Sequence, residues 1–203
     1  MFAQVIQGRT SDADGLRASL DRWLEELRPD AVGWLGSTTG VTDDGSFVGV
    51  VTFESAEAAD RNSRRPEQGR WWAEASSHLD GEVRFMDSED VTVDLQGDPD
   101  TAGFVQVMQG RVTDADRARQ VMAQIPADVM AAYRPDVLGS VAIGSPDGAW
   151  TQVIYFTSEA DAREGEGTEP PRELQNAMAE MAKLSVGETT FLDLRRPLIR
   201  SAG

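Results

Sequence analysis

Cysteine is absent and histidine occurs once, at position 78. These absences exclude a disulfide framework, a thiolate metal site and a cysteine nucleophile; they leave a metal ion only carboxylates and one imidazole. Asp12, Asp14, Asp43 and Asp44 read as cap and turn residues, so no metal site is expected. Cations are scarce: 19 Lys and Arg stand against 35 Asp and Glu, a formal net charge of -16. Such a chain is a poor partner for nucleic acid or an anionic membrane surface. No apolar run approaches the length of a membrane helix, and the first residues show neither a basic region nor an apolar core of a signal peptide. A cytoplasmic protein with no membrane association is expected. No glycine-rich phosphate cradle follows a strand, the Asp-Gly turns lack the ligands of a calcium loop, and no nucleophile elbow accompanies the histidine.

What is present is a repeat. Phe2-Ala3-Gln4-Val5-Ile6-Gln7-Gly8-Arg9 returns almost unchanged as Phe104-Val105-Gln106-Val107-Met108-Gln109-Gly110-Arg111. Self-similarity at this period means two copies of one domain of roughly 90 to 100 residues. In the first copy, Phe2 to Gly8 reads as a strand. Ser11-Asp12-Ala13-Asp14 has the capping-box character of a helix start, with Ser11 as cap, and Leu16, Leu20, Trp23, Leu24 and Leu27 form the apolar stripe of a helix laid on a sheet. Arg28-Pro29-Asp30 stops that helix. Ala31 to Thr39 and Ser46 to Phe53 are two strands joined at Asp43-Asp44-Gly45; a second helical region, broken near Arg65-Pro66, runs to Leu79, and Gly81 to Asp87 is a fourth strand.

The second copy repeats this order. Thr113-Asp114-Ala115-Asp116 restates the cap, Arg134-Pro135-Asp136 the stop, Asp147-Gly148 the turn, and Pro126 interrupts a first helix about one turn longer than its counterpart. The expected division is therefore a first repeat at 1–87, a linker at 88–103 whose Val91-Thr92-Val93 could add a short edge strand, and a second repeat at 104–203.

A βαββαβ unit folds most simply as a four-stranded antiparallel sheet with both helices on one face. The fold class expected is α+β: two tandem ferredoxin-like repeats packed sheet to sheet as an intramolecular α+β barrel. This pattern, over Phe2 to Asp193, resembles the dimeric α+β barrel superfamily, and within it the antibiotic-biosynthesis-monooxygenase-like branch, written as a tandem fusion. The stretch Pro66-Glu67-Gln68-Gly69-Arg70-Trp71-Trp72 also resembles actinobacterial members of unassigned function. The resemblance implies a pocket in each half between sheet and helices, and a functional range from cofactor-independent quinone-forming oxygenases to haem degraders and proteins without known activity. It also implies a monomer with a pseudo-dimeric barrel, or a homodimer of such barrels.

Within that frame the candidate ligand-binding residues are Gln4, Gln7, Gln106 and Gln109 on the first strands, with Trp34 and Trp72. Gln4 and Gln7 point to opposite faces by the two-residue period of a strand, and each amide is satisfied either by the protein or by a ligand. Phe47 and Phe53, like Trp150 and Phe156, share one face of the third strand and read as core or ligand wall. Arg9 with Glu82, and Arg111 with Glu188, are expected to form structural ion pairs. A small hydrophobic or aromatic molecule is the expected partner, with no cofactor, because an oxygenase of the resembled kind draws electrons from its substrate. Haem is the minor alternative, with His78 as ligand beside Trp71 or Trp72. Matching Leu79 with Leu184, however, places Trp72 in a core stripe and puts Trp71 and His78 opposite Asn176 and Lys183, on the solvent side. A non-catalytic ligand-binding or scaffold protein is the other reading.

Overall fold

The computed structural model describes residues 1–202, and the chain divides into two units: Met1–Val91 together with the residues from Arg196 onward, and Thr92–Arg195. In the first, strand β1 (Phe2–Arg9) leads to helix α1 (Ala13–Arg22), hairpin β2 (Trp34–Val41) and β3 (Ser46–Phe53), helices α2 (Ala56–Ser63) and α3 (Pro66–Ala75), and β4 (Asp80–Ser88). After β5 (Val91–Leu95) the order repeats: β6 (Phe104–Val112), α4 (Ala115–Met122), α5 (Ala127–Tyr133), β7 (Val137–Gly144), β8 (Ala149–Phe156), α6 (Glu159–Glu166), α7 (Arg172–Leu184) and β9 (Ser185–Leu194), followed by a last strand, β10 (Leu198–Ser201). The result is α+β, with two five-stranded antiparallel sheets in the orders β10-β2-β3-β1-β4 and β5-β7-β8-β6-β9.

The strand that follows each repeat joins the sheet of the other repeat. β5 flanks β7, and β10 flanks β2 with Leu198 opposite Thr39 and Ser201 opposite Gly36. Of the expected second repeat at 104–203, the residues from Arg196 onward thus fall in the first compact unit. Leu198 and Ile199 are buried in the first unit, and Arg17 Nη1 donates to the Arg196 carbonyl at 2.9 Å. Two apolar residues and four backbone partners outweigh the chain's connectivity, and four residues after Arg195-Arg196-Pro197 are too short a pattern to be read in advance.

Local chemistry fixes the rest. The cap of α1 is Asp12, not Ser11: its carboxylate accepts from Gly15 N at 3.0 Å, as Asp114 does from Arg117 N at 2.9 Å for α4. Ser11 instead reaches Asp80 at 3.3 Å. Past α1 the chain widens into one π-turn over Trp23–Leu27, with Arg28 N–H bonded to the Trp23 carbonyl, and then tightens through Arg28–Asp30. The stripe read from sequence is the buried one, since Leu16, Trp23 and Leu27 are nearly inaccessible.

Arg9 does not meet Glu82. It turns to the β2–β3 turn, 3.6 Å from the Asp44 carboxylate, while Glu82 lies 3.9 Å from Arg84; Arg111 repeats the choice with Asp147 at 3.0 Å. The bulge that shifts the β1–β4 register after Gln7 places Asp80 opposite Arg9 and carries Glu82 away. Thr42 Oγ1, Ser46 N and Ser46 Oγ all donate to Asp44, and with Arg9 they hold its carboxyl down at about 2. A carboxyl lowered from its unfolded value near 4 adds stability above that value and loses it as pH falls toward 2. The melting temperature should fall over that window, and less so in Asp44→Ala; equal falls in both proteins would show that Asp44 is not the titrating group.

Candidate ligand pocket of the first unit

On the first sheet, β1 presents Gln4 and Ile6 to the helices, β2 presents Ser37 and Thr39, and β3 presents Phe47, Val51 and Phe53. Across the strands Ile6, Gly49 and Thr39 lie in one row, completed by Leu198 of β10. Gly49 has no side chain to place there, and a Cβ would lie 3.3 Å from both Phe47 Cζ and Thr39 Cγ2. The glycine therefore lets the Phe47 ring lie along the centre of the sheet face. A glycine inside a strand marks such a close approach.

The roof comes from α1 and α3. Leu16, Leu20, Trp23 and Leu24 descend from the first helix; Trp71, Trp72 and Ala75 come from the second. Ring centroids run Trp34 to Trp23 at 5.8 Å, Trp23 to Trp71 at 6.2 Å, Trp71 to Trp72 at 5.9 Å and Trp72 to Phe85 at 5.6 Å, a continuous aromatic series from core to a half-exposed phenylalanine. Two indole N–H groups pin it: Trp23 Nε1 donates to Gln68 Oε1 at 2.7 Å, and Trp71 Nε1 to the Ser19 carbonyl at 2.7 Å. Between floor and roof is a cavity of about 300 Å³, at the small end of ligand sites.

Its lining contains no Asp, Glu, Lys, Arg or His among the described residues. The polar groups are neutral: Gln4, Ser37, Thr39, Asn62, Ser63 and Gln68. Gln4 Nε2 donates to Asp87 Oδ1 at 2.8 Å. Thr39 is 5% exposed and its Oγ1 has no partner among the described residues, an arrangement that costs free energy until something supplies a hydrogen bond.

The sequence candidates thus separate. Gln4 and Trp72 line the pocket. Trp34 does not; it belongs to the core with Phe2, Trp23, Leu27, Ala31, Phe53 and Ala58, because the bulge between Trp34 and Gly36 at the start of β2 sets it opposite Phe53. Trp71, expected on the solvent side, lines the pocket and packs on that core. Its counterpart region is one continuous helix, whereas α3 is shorter and tightens into a turn at Ser76–His78, so the faces do not correspond. Gln7 faces away from Gln4. Phe47 and Phe53 stand as ligand wall; Trp23, Asn62 and Gln68 join them without a signal of their own in the sequence, where the glycine at 49, matched by Gln152 in the second copy, is the one available.

Of the residues set out for haem, Trp71 and Trp72 line the pocket and His78 is not among the lining residues. His78 lies at the start of α1, with Nδ1 2.7 Å from Asp12 Oδ2 and its carbonyl accepting from Thr10 Oγ1 at 2.6 Å. Asp12 is correspondingly held below the usual carboxylate range by Gly15 N–H and by His78. The imidazole joins two helix ends, outside the pocket wall.

The second unit carries different residues at the equivalent positions. Gln152 stands opposite Met108 where Gly49 stands opposite Ile6, and Trp150, the counterpart of Phe47, lies over Gly110 instead, 2.7 Å from where a Cβ there would be. Gln106 is 7% exposed and donates to Asp193 at 3.0 Å. Asp193 also binds Arg163, whose guanidinium lies 5.3 Å over the Phe104 ring. Counting from the caps Ser55 and Ser158, Arg163 corresponds to Asp60, which pairs with Arg64 instead. Gln109 donates to Thr151 Oγ1 at 3.0 Å.

No protein-family model matches the chain, and no functionally curated protein matches it in sequence. Solved structures do match over the full length. A "putative monooxygenase" from Fusobacterium nucleatum superposes with a TM-score of 0.77 at 10% identity, covering 100% of this chain and 94% of that one. A "putative monooxygenase" from Lactobacillus acidophilus gives 0.71 at 12% identity, covering 98% and 99%. An "anthrone oxidase-like protein" gives 0.66 at 15% identity, covering 100% and 94%. At these identities the likeness is one of fold. No helix among the described residues is long and apolar enough to cross a membrane.

Proposed function

We propose that the first unit binds one uncharged, flat aromatic molecule and acts on it as a cofactor-independent monooxygenase. The observation that carries this reading is the aromatic pocket itself, with Phe47 beneath, Trp23, Trp71 and Trp72 above, and only neutral polar groups in its wall. A planar ring gains stacking on both faces there, and a charged ligand would be desolvated without a counter-ion.

The chemistry such a site can support is narrow. With no ionisable side chain in the wall, the substrate must lose its own proton to solvent, as an anthrone-type CH₂ flanked by two aryl rings and facing a carbonyl can do. Its carbanion passes one electron to dioxygen, the radical pair joins as a C–O bond, and the peroxide loses water to leave a carbonyl. Overall ArCH₂Ar plus O₂ gives ArCOAr plus water; the substrate supplies the electrons. The protein's part is to hold the ring and position it through Gln4 and Thr39. The fold shared with the monooxygenases named above supports this assignment. The uncharged wall, which offers an anion no counter-ion, favours a second reading in which the pocket binds an aromatic ligand without turning it over.

Titration with anthrone, following tryptophan fluorescence and dissolved oxygen, separates the two, since four of the five tryptophans lie in the first unit. Saturable quenching with oxygen uptake above the uncatalysed rate is the expected result. Quenching with no added uptake leaves the binding reading; no quenching removes both.

A further inference from the structure

Three carboxamides line the pocket, and each has one end already committed to a partner whose chemistry fixes which end that is. Trp23 Nε1–H can only donate, so Gln68 must present Oε1 to it, at 2.7 Å. Arg65 can only donate, so Asn62 must present Oδ1 to its Nη1, at 3.0 Å. Arg65 is itself held by the Leu27 carbonyl at 3.1 Å and by Glu67 at 2.8 Å, and Asn62 is 7% exposed. The orientation of both amides is therefore set by the partners rather than chosen. Their NH₂ groups, Gln68 Nε2 and Asn62 Nδ2, have no protein partner among the described residues, and both residues stand in the pocket wall.

Gln4 is committed in the opposite sense. Asp87 is an acceptor, so Gln4 gives it Nε2 and keeps Oε1 uncommitted. The helix side of the pocket thus offers hydrogen-bond donors and the β1 side offers an acceptor. A ligand that satisfies both must carry an acceptor oxygen at one end and a hydroxyl hydrogen at the other.

Resting on the reading of this pocket as a small-molecule site, we propose that it selects its ligand by donor–acceptor polarity and takes uncharged hydroxyaryl ketones or hydroxyquinones. The carbonyl oxygen is held by Asn62 and Gln68, and the phenol is read by Gln4. Asn62 and Gln68 are specificity-determining residues, and Arg65 and Trp23 are positioning residues that act through them. A hydrocarbon of the same shape leaves all three amide ends unpaired, the condition under which hydrogen-bonding sites discriminate most strongly.

Four compounds on one tetralin skeleton test the proposal on the full chain: the parent, the ketone alone, the phenol alone, and the ketone and phenol at opposite ends. The bifunctional compound should bind about tenfold more tightly than either monofunctional one, the effect of one buried hydrogen bond. Gln68→Glu and Asn62→Asp keep the oxygen that Trp23 and Arg65 bind and turn the donor end into a carboxylate acceptor, with thermal unfolding as the check that the fold is retained. Each should erase most of the ketone's advantage over the parent while leaving the phenol's advantage in place. Equal binding of all four compounds, or a ketone preference that survives both substitutions, overturns the proposal and leaves the aromatic pocket standing. No quenching by any of the four removes the pocket reading and this inference with it.

Discussion

Gly49→Gln should lower the affinity for an aromatic ligand at least about a hundredfold while leaving the chain folded. The substitution gives β3 the residue that its counterpart strand carries, Gln152 on β8. A Cβ at position 49 already lies 3.3 Å from the Phe47 ring and from Thr39, so a longer side chain displaces the phenylalanine and takes the floor of the cavity. Overpacking of this kind costs about 1–3 kcal/mol of stability. The second unit shows how the strain is relieved there: its aromatic residue, Trp150, lies across β6 over Gly110 instead. In the first unit the position corresponding to Gly110 is Gly8, whose Cβ direction is taken by Leu79 at 3.6 Å and Val83 at 3.9 Å. Titration by tryptophan quenching gives the affinity and thermal unfolding gives the stability. Unchanged affinity would mean that the ligand does not use the Phe47 floor.

Removal of the residues after Arg195 is the second large effect expected, and it falls on the first unit. β10 places Leu198 and Ile199 in buried positions, Leu198 in the pocket wall, and covers the β2 edge through four paired residues. Fully burying two such side chains contributes roughly 3–6 kcal/mol, comparable with the whole stability of a small domain. Truncation should therefore lower the unfolding midpoint of the first unit sharply and abolish ligand quenching. Trp23, Trp34, Trp71 and Trp72 report on that unit, so the change is visible in fluorescence. If the domain limits were those of the repeat, the same truncation would leave those four tryptophans undisturbed.

The repeat made most of the fold legible, because strand alternation, the Asp-Gly turns and the Arg-Pro-Asp stops occur twice in the same order. The Leu16-to-Leu27 stripe was legible for the same reason: helical periodicity and burial agree there. What the sequence did not disclose depends on the alternatives open to a side chain. Arg9 could reach a carboxylate on β4 or one in the β2–β3 turn, and a bulge decided for Asp44. Trp34 and Trp72 look equivalent as letters, yet a register shift at the start of β2 sends one to the core. Trp71 follows a helix face that its counterpart does not share, because α3 is shorter than α7 and tightens at Ser76–His78. Gly49 was readable in principle, as a glycine within a strand whose duplicate has Gln152, but its meaning depends on which way Phe47 turns.

The two copies differ around the shared amide. Gln106 and Asp193 preserve the pairing of Gln4 and Asp87, but Arg163 joins it and lies over Phe104, and Gln152 occupies the row that Gly49 leaves clear. The amide and carboxylate serve the sheet in both units. The first adds Thr39, Asn62, Gln68 and the paired tryptophans around an open space.

A crystal structure of the chain grown with a hydroxyaryl ketone tests the central claim most directly. The account predicts one molecule per chain, its ring between Phe47 and the Trp71–Trp72 pair and its carbonyl oxygen within hydrogen-bonding distance of Asn62 or Gln68. A saturating ligand found anywhere else, or found equally in both units, would contradict it.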